Sequence, residues 1–216
     1  MTMKKIIAMA VAAICLAGAA FALDFEIGGR AILGRNLDDG SFKENVAAAK
    51  QDKTYDFGGS IYANFALFGG LGIQAEANYI KSSIDFTQPK GSETKELNYE
   101  LHTLDLAPMV WLNLDLWKLT IGFGAGPNFS IPVASIGEVT KAKKQDFTVG
   151  LITGADVKFY FTKHLGVVLS GRYIMDFQER PITINVLDQD VDTGATTYGI
   201  NRKTIYGGLG LEWKFI

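Results

Sequence analysis

The stretch that decides the fold is FTVGLITGADVKFYFTKHLGVVLSGRYIMDF, residues 147–177. Apolar side chains occupy alternate positions on both sides of a short segment at 162–164. They are Phe147, Val149, Leu151, Ala155, Val157, Phe159, Phe161, Leu165, Val167, Leu169, Tyr173, Met175 and Phe177. This period-two pattern is typical of β-strands with one apolar and one polar face. The stretch therefore predicts two antiparallel strands joined by a tight turn.

The same alternation extends over most of the remaining chain. It covers segments at 23–34, 55–68, 71–80, 97–112, 117–129 and 204–216. In the segment at 97–112 the apolar residues change parity near His102, which we interpret as a β-bulge. With the two strands above, these segments predict an all-β fold, an eight-stranded antiparallel up-and-down β-barrel.

The connections between the predicted strands alternate between short and long. Tight turns are predicted at 69–70, 113–116 and 162–164, and long loops at 35–54, 85–96, 130–146 and 178–203. In transmembrane barrels of the bacterial outer membrane, short turns face the periplasm and long loops face outward. An even number of strands then places both termini on the periplasmic side.

Period two alone does not say which face points outward, so a soluble lipocalin-like barrel is the alternative. The polar face carries few charges and is otherwise Gly, Ser, Thr and Asn, which suits the narrow lumen of a small barrel. Aromatic residues also cluster at both ends of the predicted strands, as at the two interfaces of a membrane. We place Trp111, Trp117, Phe161, Trp213 and Phe215 at one rim, and Tyr55, Phe57, Tyr79, Phe129, Phe147 and Phe177 at the other. The sequence thus favours a transmembrane barrel with its apolar face toward lipid.

The first residues have the layout of a secretory signal peptide. Lys4 and Lys5 precede an apolar stretch at 6–17, and Ala20-Phe21-Ala22 offers small residues at the cleavage positions. We therefore predict a cleaved signal peptide at 1–22 and a barrel domain at 23–216. The only cysteine, Cys15, lies within the signal peptide, so the predicted mature chain has no disulfide and no thiolate metal site.

Composition excludes several classes of function. The 21 basic and 23 acidic residues leave a formal net charge of −2, which does not suit a nucleic-acid partner. Of the two histidines, His164 lies in a predicted turn, and His102 is followed by Thr103. Neighbours in a strand point to opposite faces, so these two side chains do not form a catalytic pair. We expect no enzymatic activity, no cofactor and no catalytic residue.

Three stretches of the second half resemble a known family. They are LDLAPMVWLNL at 104–114, LTIGFGAGPNFSIP at 119–132, and DFTVGLITGADVKFYFTKHLGVVLSGRY at 146–173. They resemble the small outer-membrane β-barrel proteins of the porin-like and opacity-like group, which are related to outer membrane proteins A (transmembrane part), X and W. The resemblance implies a location in the bacterial outer membrane. It implies no activity, because a shared fold does not determine function.

The end of the chain is similar to the assembly signal of that family. Gly210, Trp213 and Phe215 have the expected spacing, although Gly208 replaces a polar residue and Ile216 follows the last aromatic. The resemblance implies periplasmic chaperones and the barrel-insertion machinery as partners during assembly, and outer-membrane lipid afterwards.

The charged residues on the polar face form a candidate site inside the barrel. They are Glu26, Arg30, Glu76, Lys118, Asp156, Lys158, Arg172, Asp176, Glu212 and Lys214. Because an unpaired buried charge costs several kcal/mol, we expect these residues to pair into a plug that fills the lumen. The alternative is a very narrow polar pathway that opens when the pairs rearrange.

Pro108 and Pro127 form a second candidate site, since each removes a backbone donor from a predicted strand. They mark either a bulge or strand end, or a lateral seam. The resemblance to outer membrane protein W implies that such a seam would pass a small apolar solute from the lumen to the bilayer.

The long loops carry two further charged groups. Asp188, Asp190 and Asp192 alternate as at the start of a calcium loop, but Thr193 and Gly199 occupy the positions that need glycine and a carboxylate. We interpret them as a solvated acidic loop tip and expect no metal; the lysines at 141, 143 and 144 are interpreted as solvated too. The loops are expected to bind a host or surface ligand, in a structural or adhesive role. The alternative function is a passive conduit for small hydrophobic solutes.

Overall fold

The computed structural model describes ten stretches of the chain. They are residues 24–37, 41–42, 50–52, 55–68, 70–90, 93–137, 147–178, 180–185, 195–200 and 202–215. Eight long strands run through them: β1 (Asp24–Asn36), β4 (Tyr55–Phe68), β5 (Leu71–Lys90), β6 (Glu93–Leu116), β7 (Leu119–Gly137), β8 (Thr148–Tyr160), β9 (Leu165–Asp176) and β12 (Lys203–Phe215). The short strands are β2 (Ser41–Phe42), β3 (Lys50–Asp52), β10 (Arg180–Asn185) and β11 (Ala195–Ile200).

The long strands close into a ring in which each one pairs with its neighbours in the chain. The order around the ring is β1, β4, β5, β6, β7, β8, β9 and β12, and every pairing is antiparallel. β12 returns to β1 in a continuous register from Phe25↔Phe215 to Asn36↔Thr204. The predicted all-β, eight-stranded up-and-down barrel is confirmed.

The two faces of the barrel differ in the sense that the alternation predicts. Large apolar side chains such as Ile61, Leu169 and Leu209 are exposed on the outer face. Charged side chains such as Glu76 and Lys158 are buried inside. This is inverted relative to a soluble barrel, and it matches a wall that faces lipid.

Two predictions for β6 need correction. Trp111 was expected at a rim, but its side chain is completely buried inside the barrel. Its ring lies over Gly122 and Gly124, which leave the necessary space because they have no side chain. The register does shift between His102 and Thr103, as the predicted bulge requires, but the extra residue is Val133 of β7. β6 itself keeps its alternation.

The turns agree with prediction in two of three places. Gly70, with φ of +80°, connects β4 to β5, and residues 161–164 connect β8 to β9. The turn predicted at 113–116 is wrong, since β6 continues through Leu116 and the turn consists of Trp117 and Lys118. We call the rim that carries these turns and the two chain ends of the barrel the turn rim, and the opposite one the loop rim.

The predicted loops contain strands. Where a loop was expected at 85–96, β5 and β6 continue as a paired hairpin, with Lys90 opposite Glu93. β10 and β11 lie within the predicted loop at 178–203, and β11 also pairs with β2 from the first loop. Paired β-structure therefore extends beyond the barrel wall on the loop side.

Several predictions fall outside the described residues. These are the signal peptide at 1–22 with Cys15, the lysines at 141, 143 and 144, and the acidic residues Asp188, Asp190 and Asp192. No helix in the described part of the chain is long and apolar enough to cross a membrane.

The residues of the expected assembly signal lie on the strand that closes the ring. Phe215 stacks on Phe25 with 5.2 Å between ring centroids, and Phe25 stacks on Phe65 at 4.9 Å. Trp213 is also on the outer face, whereas Gly210 lies against the backbone of β1. A methyl group at Gly210 would come within 2.1 Å of the carbonyl oxygen of Gly29. Glycine therefore permits the close approach of β12 to β1.

The space that Gly124 leaves for Trp111 gives a test of the interior packing. A methyl group at Gly124 would lie 1.8 Å from the indole ring, whereas one at Gly171 on the outer face would meet nothing within 4 Å. We expect Gly124→Ala to lower the free energy of unfolding by about 1–3 kcal/mol, because overpacking displaces the ring. Gly171→Ala is the control, with a change within about 0.5 kcal/mol. Urea titration of the protein folded in lipid vesicles measures both; equal effects would contradict the packing described here.

Candidate functional site

The first group of charges inside the barrel lies next to the turn rim. Lys158 on β8 stands between two carboxylates, with its Nζ 2.5 Å from Glu26 Oε2 and 2.8 Å from Glu212 Oε2. The hydroxyl of Tyr62 donates to Glu212 at 2.8 Å, and that of Tyr160 contacts both carboxylates. The ammonium group is completely shielded from solvent. This cluster therefore fills the end of the lumen next to the turn rim.

The second group lies in the middle of the lumen and balances two cations with two anions. Arg172 Nη2 is 2.5 Å from Glu76 Oε1, and Arg172 Nη1 is 2.7 Å from Asp156 Oδ1. Arg30 contacts the same two carboxylates. Its Nη2 forms an ion pair with Glu76 Oε1, and its Nη1 lies 3.4 Å from Asp156 Oδ1. Arg172 is on β9 and Glu76 is on β5, which are opposite walls in the ring of eight. The Arg172–Glu76 pair thus crosses the full width of the barrel, whereas Arg172 and Asp156 are on adjacent strands.

The third group lies toward the loop rim and centres on Arg202, just before β12. Its guanidinium group is 2.8 Å from Asp105 of β6 and 3.2 Å from Asp176 of β9. Ser130 of β7 also donates a hydrogen bond to Asp105. β6 is the strand opposite β12 in the ring, so this cluster too joins facing walls. Arg202 and Asp105 were missed in the sequence, because one precedes a strand and the other lies near the expected bulge.

A layer of mainly apolar side chains lies in the lumen beside the second group, where the Trp111 ring packs on the Arg172 guanidinium group at 4.9 Å. The residues of this layer are Ile32, Ile80, Ala107, Met109, Trp111, Ile152, Ile174 and Tyr206, all buried. Ile174, for example, lies between Arg172 and Asp176 on β9. The sequence held a signal for this layer, since the isoleucines share the parity of the inward charges. A water-filled pore would not pass through such a layer without rearrangement.

The structure brings together most of the predicted charge network. Glu26, Arg30, Glu76, Asp156, Lys158, Arg172, Asp176 and Glu212 are buried inside the barrel. Lys214 lies at the turn rim, 3.8 Å from Glu26 and partly exposed. The prediction for Lys118 is wrong: it is exposed in a turn, with Nζ 4.9 Å from the centre of the Trp117 ring. The reason is the φ of 60° at Trp117, which ends the alternation before β7 begins.

The prolines of the second candidate site stand opposite each other. β6 and β7 pair at Leu106↔Phe129 and again at Val110↔Ala125, and the rungs between, which include Pro108 and Pro127, do not pair. Directly opposed residues of a hydrogen-bonded pair exchange two N–H···O bonds, and proline has no N–H to donate. The ladder therefore has a gap in the middle of the wall.

The gap is closed by contact rather than by hydrogen bonds. A methyl group at Gly126 would lie 2.0 Å from the carbonyl oxygen of Pro108, so the two backbones touch. Inside the barrel at this level, the side-chain amide of Asn128 is fully buried, and neither of its polar atoms has a protein partner. This part of the wall therefore lacks ladder hydrogen bonds and has a buried amide without a protein partner beside it.

A polar group lies on the outer face just beyond the apolar belt. Lys81 Nζ is 2.6 Å from Glu100 Oε1, and this hydrogen bond lowers the pKa of the Glu100 carboxyl. His102 Nδ1 is 2.6 Å from the hydroxyl of Tyr79. Thr103 points to the interior, so it does not meet His102, as expected.

The chain was compared with known families and structures. The family model described as the outer membrane protein beta-barrel domain matches residues 6–212. No sequence among curated proteins matches the chain.

Solved structures are similar in fold at low sequence identity. OprG from Pseudomonas aeruginosa superposes with a TM-score of 0.74 at 14% identity, over 90% of this chain and 96% of that chain. Neisserial surface protein A has a TM-score of 0.48 at 11% identity, over 88% and 95% of the two chains. E. coli outer membrane protein W has a TM-score of 0.46 at 12% identity, over 88% and 97%. Of the three, the first supports the barrel fold described above.

The cross-barrel pairs lead to a prediction for stability. Arg172→Gln leaves Glu76 and Asp156 with Arg30 as their remaining cation, and breaking a buried pair in this way costs about 3–5 kcal/mol. Lys81→Gln is the control, because its ion pair with Glu100 is exposed to water and screened by it, so its loss should lower stability far less. Urea unfolding in lipid vesicles distinguishes the two variants. Equal losses would mean that the lumen pairs contribute no more than those at the surface.

Proposed function

The chain belongs to the outer membrane protein beta-barrel domain family, and we propose that it serves as a sealed platform whose loop side makes surface interactions. Its location is the bacterial outer membrane. In this proposal the loop rim faces outward and both termini face the periplasm. The interactions are structural or adhesive, with a host or surface ligand as the partner.

The observation that carries this proposal is the filling of the lumen. Buried ion pairs bridge opposite walls at Arg172 and at Arg202, and an apolar layer packs beside them. Moving ions through such a barrel would require breaking pairs that are shielded from water, at a cost of several kcal/mol each. A protein with a sealed lumen acts through surfaces outside the lumen. The loop side carries more structure than the turn side.

The loop side holds most of the structure beyond the apolar belt. The β5–β6 hairpin continues past Tyr79, the last aromatic residue of the belt on β5, as far as Lys90 and Glu93. The sheet of β2, β10 and β11 joins the first and last loops. The turn rim, in contrast, has connections of a few residues. This asymmetry supports a function at the loop rim.

Surface labelling tests the proposal. In a chain whose native cysteine is removed by Cys15→Ser, a new cysteine at Asp190→Cys should react on intact cells with a membrane-impermeant maleimide. A cysteine at Lys163→Cys, in a tight turn, should react only after the outer membrane is permeabilised. Replacing residues 186–194 with a Gly-Ser spacer of equal length should reduce attachment of expressing cells to matrix-coated surfaces, while the barrel still folds.

Two results would count against the platform. One is labelling at Lys163→Cys but not at Asp190→Cys on intact cells, which would reverse the orientation. The other is a steady ionic conductance of the wild-type protein in planar bilayers, since a lumen closed by buried pairs should conduct no more than the bare bilayer.

The gap at the proline pair favours a second candidate function, a lateral conduit for small hydrophobic solutes. Pro108 and Pro127 interrupt the ladder at the level of the apolar lumen layer, where Ala107 and Met109 line the interior. A solute that enters from the loop side would have to pass the Arg202 cluster, and would leave at the gap into the bilayer without crossing the two charged groups nearer the turn rim. The unpaired backbone provides the weak place that such an exit needs.

Restoring the missing donors tests the conduit. Pro108→Thr with Pro127→Thr supplies two N–H groups that can complete the ladder, so uptake of a small hydrophobic dye into proteoliposomes should fall toward that of protein-free vesicles. Pro132→Thr, opposite Thr103 and outside the gap, is the control and should leave uptake unchanged. Uptake that is the same for all three proteins would eliminate this candidate.

A further inference from the structure

The turn rim carries a group of basic residues along one arc, which we call the basic arc. The basic arc consists of Trp117 and Lys118, Phe161 and Lys163, and Trp213 and Lys214, contributed by two turns and the end of β12. The β4–β5 connection across the rim, residues 66–73, has no charged residue. The acidic neighbours of this arc are Asp115, which accepts a hydrogen bond from Thr120, and Glu26, which lies 3.8 Å from Lys214. The arc therefore has a net positive charge on one side of the barrel.

The parts of the basic arc are joined by backbone hydrogen bonds. The N–H of Tyr160 donates to the carbonyl of Lys118 at 2.9 Å, and that of Lys214 donates to the carbonyl of His164 at 2.7 Å. The two turns and the end of β12 are thus held side by side. They form one continuous surface rather than separate lysines.

Aromatic rings stand next to the cations of the basic arc. Lys118 Nζ is 4.9 Å from the centre of the Trp117 ring, and the imidazole of His164 is stacked on Trp213 at 5.5 Å. Phe161 and Trp213 continue the exposed apolar belt of the outer wall. Apolar side chains on the outer wall, with cations next to them at the rim, suit the interface between the acyl chains and the phosphate groups of a bilayer.

Trp117 is the unusual residue of the arc. Its φ of 60° is a conformation in which glycine or asparagine is favoured in a two-residue hairpin turn, and its side chain is 92% exposed. A bulky residue held in a strained conformation requires a compensating interaction. Because most of the ring is not covered by this chain, the compensating interaction must come from the membrane around the barrel.

We propose that the basic arc binds the phosphate headgroup of an anionic glycerophospholipid. The ammonium groups of Lys118 and Lys163 contact the phosphate, and the Trp117 ring lies at headgroup level, where indole is favoured. The acyl chains of the same lipid lie along the exposed side chains of Leu116 and Phe159. The barrel thus holds a bound lipid on one side, opposite the uncharged β4–β5 turn.

Native mass spectrometry of the folded full-length protein tests the site. Equal amounts of phosphatidylglycerol and phosphatidylcholine are added, and the wild type should retain the former preferentially. Removing both cations with Lys118→Gln and Lys163→Gln should reduce this preference by about ten-fold or more, since each lysine near an anionic surface contributes about five-fold. The control Arg35→Gln with Lys203→Gln removes two charges at the loop rim and should leave the preference unchanged.

Trp117→Gly separates lipid binding from turn stability. Glycine accepts the positive φ, so this variant should unfold at a higher urea concentration than the wild type in neutral detergent, yet retain less phosphatidylglycerol. The proposal is overturned if the wild type retains both lipids equally, or if the control pair loses the preference as much as the Lys118 and Lys163 pair. A Trp117→Gly variant that is less stable but retains lipid normally would also overturn it, because Trp117 would then serve the turn alone.

Discussion

A strand inside a bilayer has no water to hydrogen-bond its backbone, and this constraint organises the whole molecule. The ring must close, so β12 pairs with β1 along its entire length. Closing a ring of eight strands leaves a lumen that only side chains can fill. The polar face is then removed from water as well, and the charges on it must find partners across the barrel. The ion pairs between opposite walls follow from closure of the ring.

Filling so narrow a space depends on glycine as much as on charge. Four large inward side chains lie over glycines of a neighbouring strand: Tyr62 over Gly28, Tyr206 over Gly34, Trp111 over Gly124 and Arg172 over Gly154. At each of these glycines a methyl group would come within 2.5 Å of the large side chain. These four glycines are thus the complement of four large residues, whose side chains can pack over the adjacent strand because no side chain occupies that space.

The sequence predicts the barrel well because alternation is a local property that every strand repeats. It also predicts most inward charges, such as Glu76 and Arg172, from parity. It fails at Lys118, because Trp117 turns the chain. At Trp111 the parity of β6 points inward, and the expectation that an aromatic residue there lies at a rim was wrong. Arg202 could not be found by alternation, since its role depends on which strand faces it across the ring. That the two prolines are opposed is likewise a matter of register between strands.

Arg202 also bears on how this barrel can be modified. The residue stands at the end of a surface loop in the sequence, yet its guanidinium group belongs to the interior, between Asp105 and Asp176. Anyone who grafts a foreign peptide or epitope onto the last loop should therefore place the junction before this arginine. A graft that replaced it would leave two buried carboxylates without this cation and would alter the barrel as well as the loop.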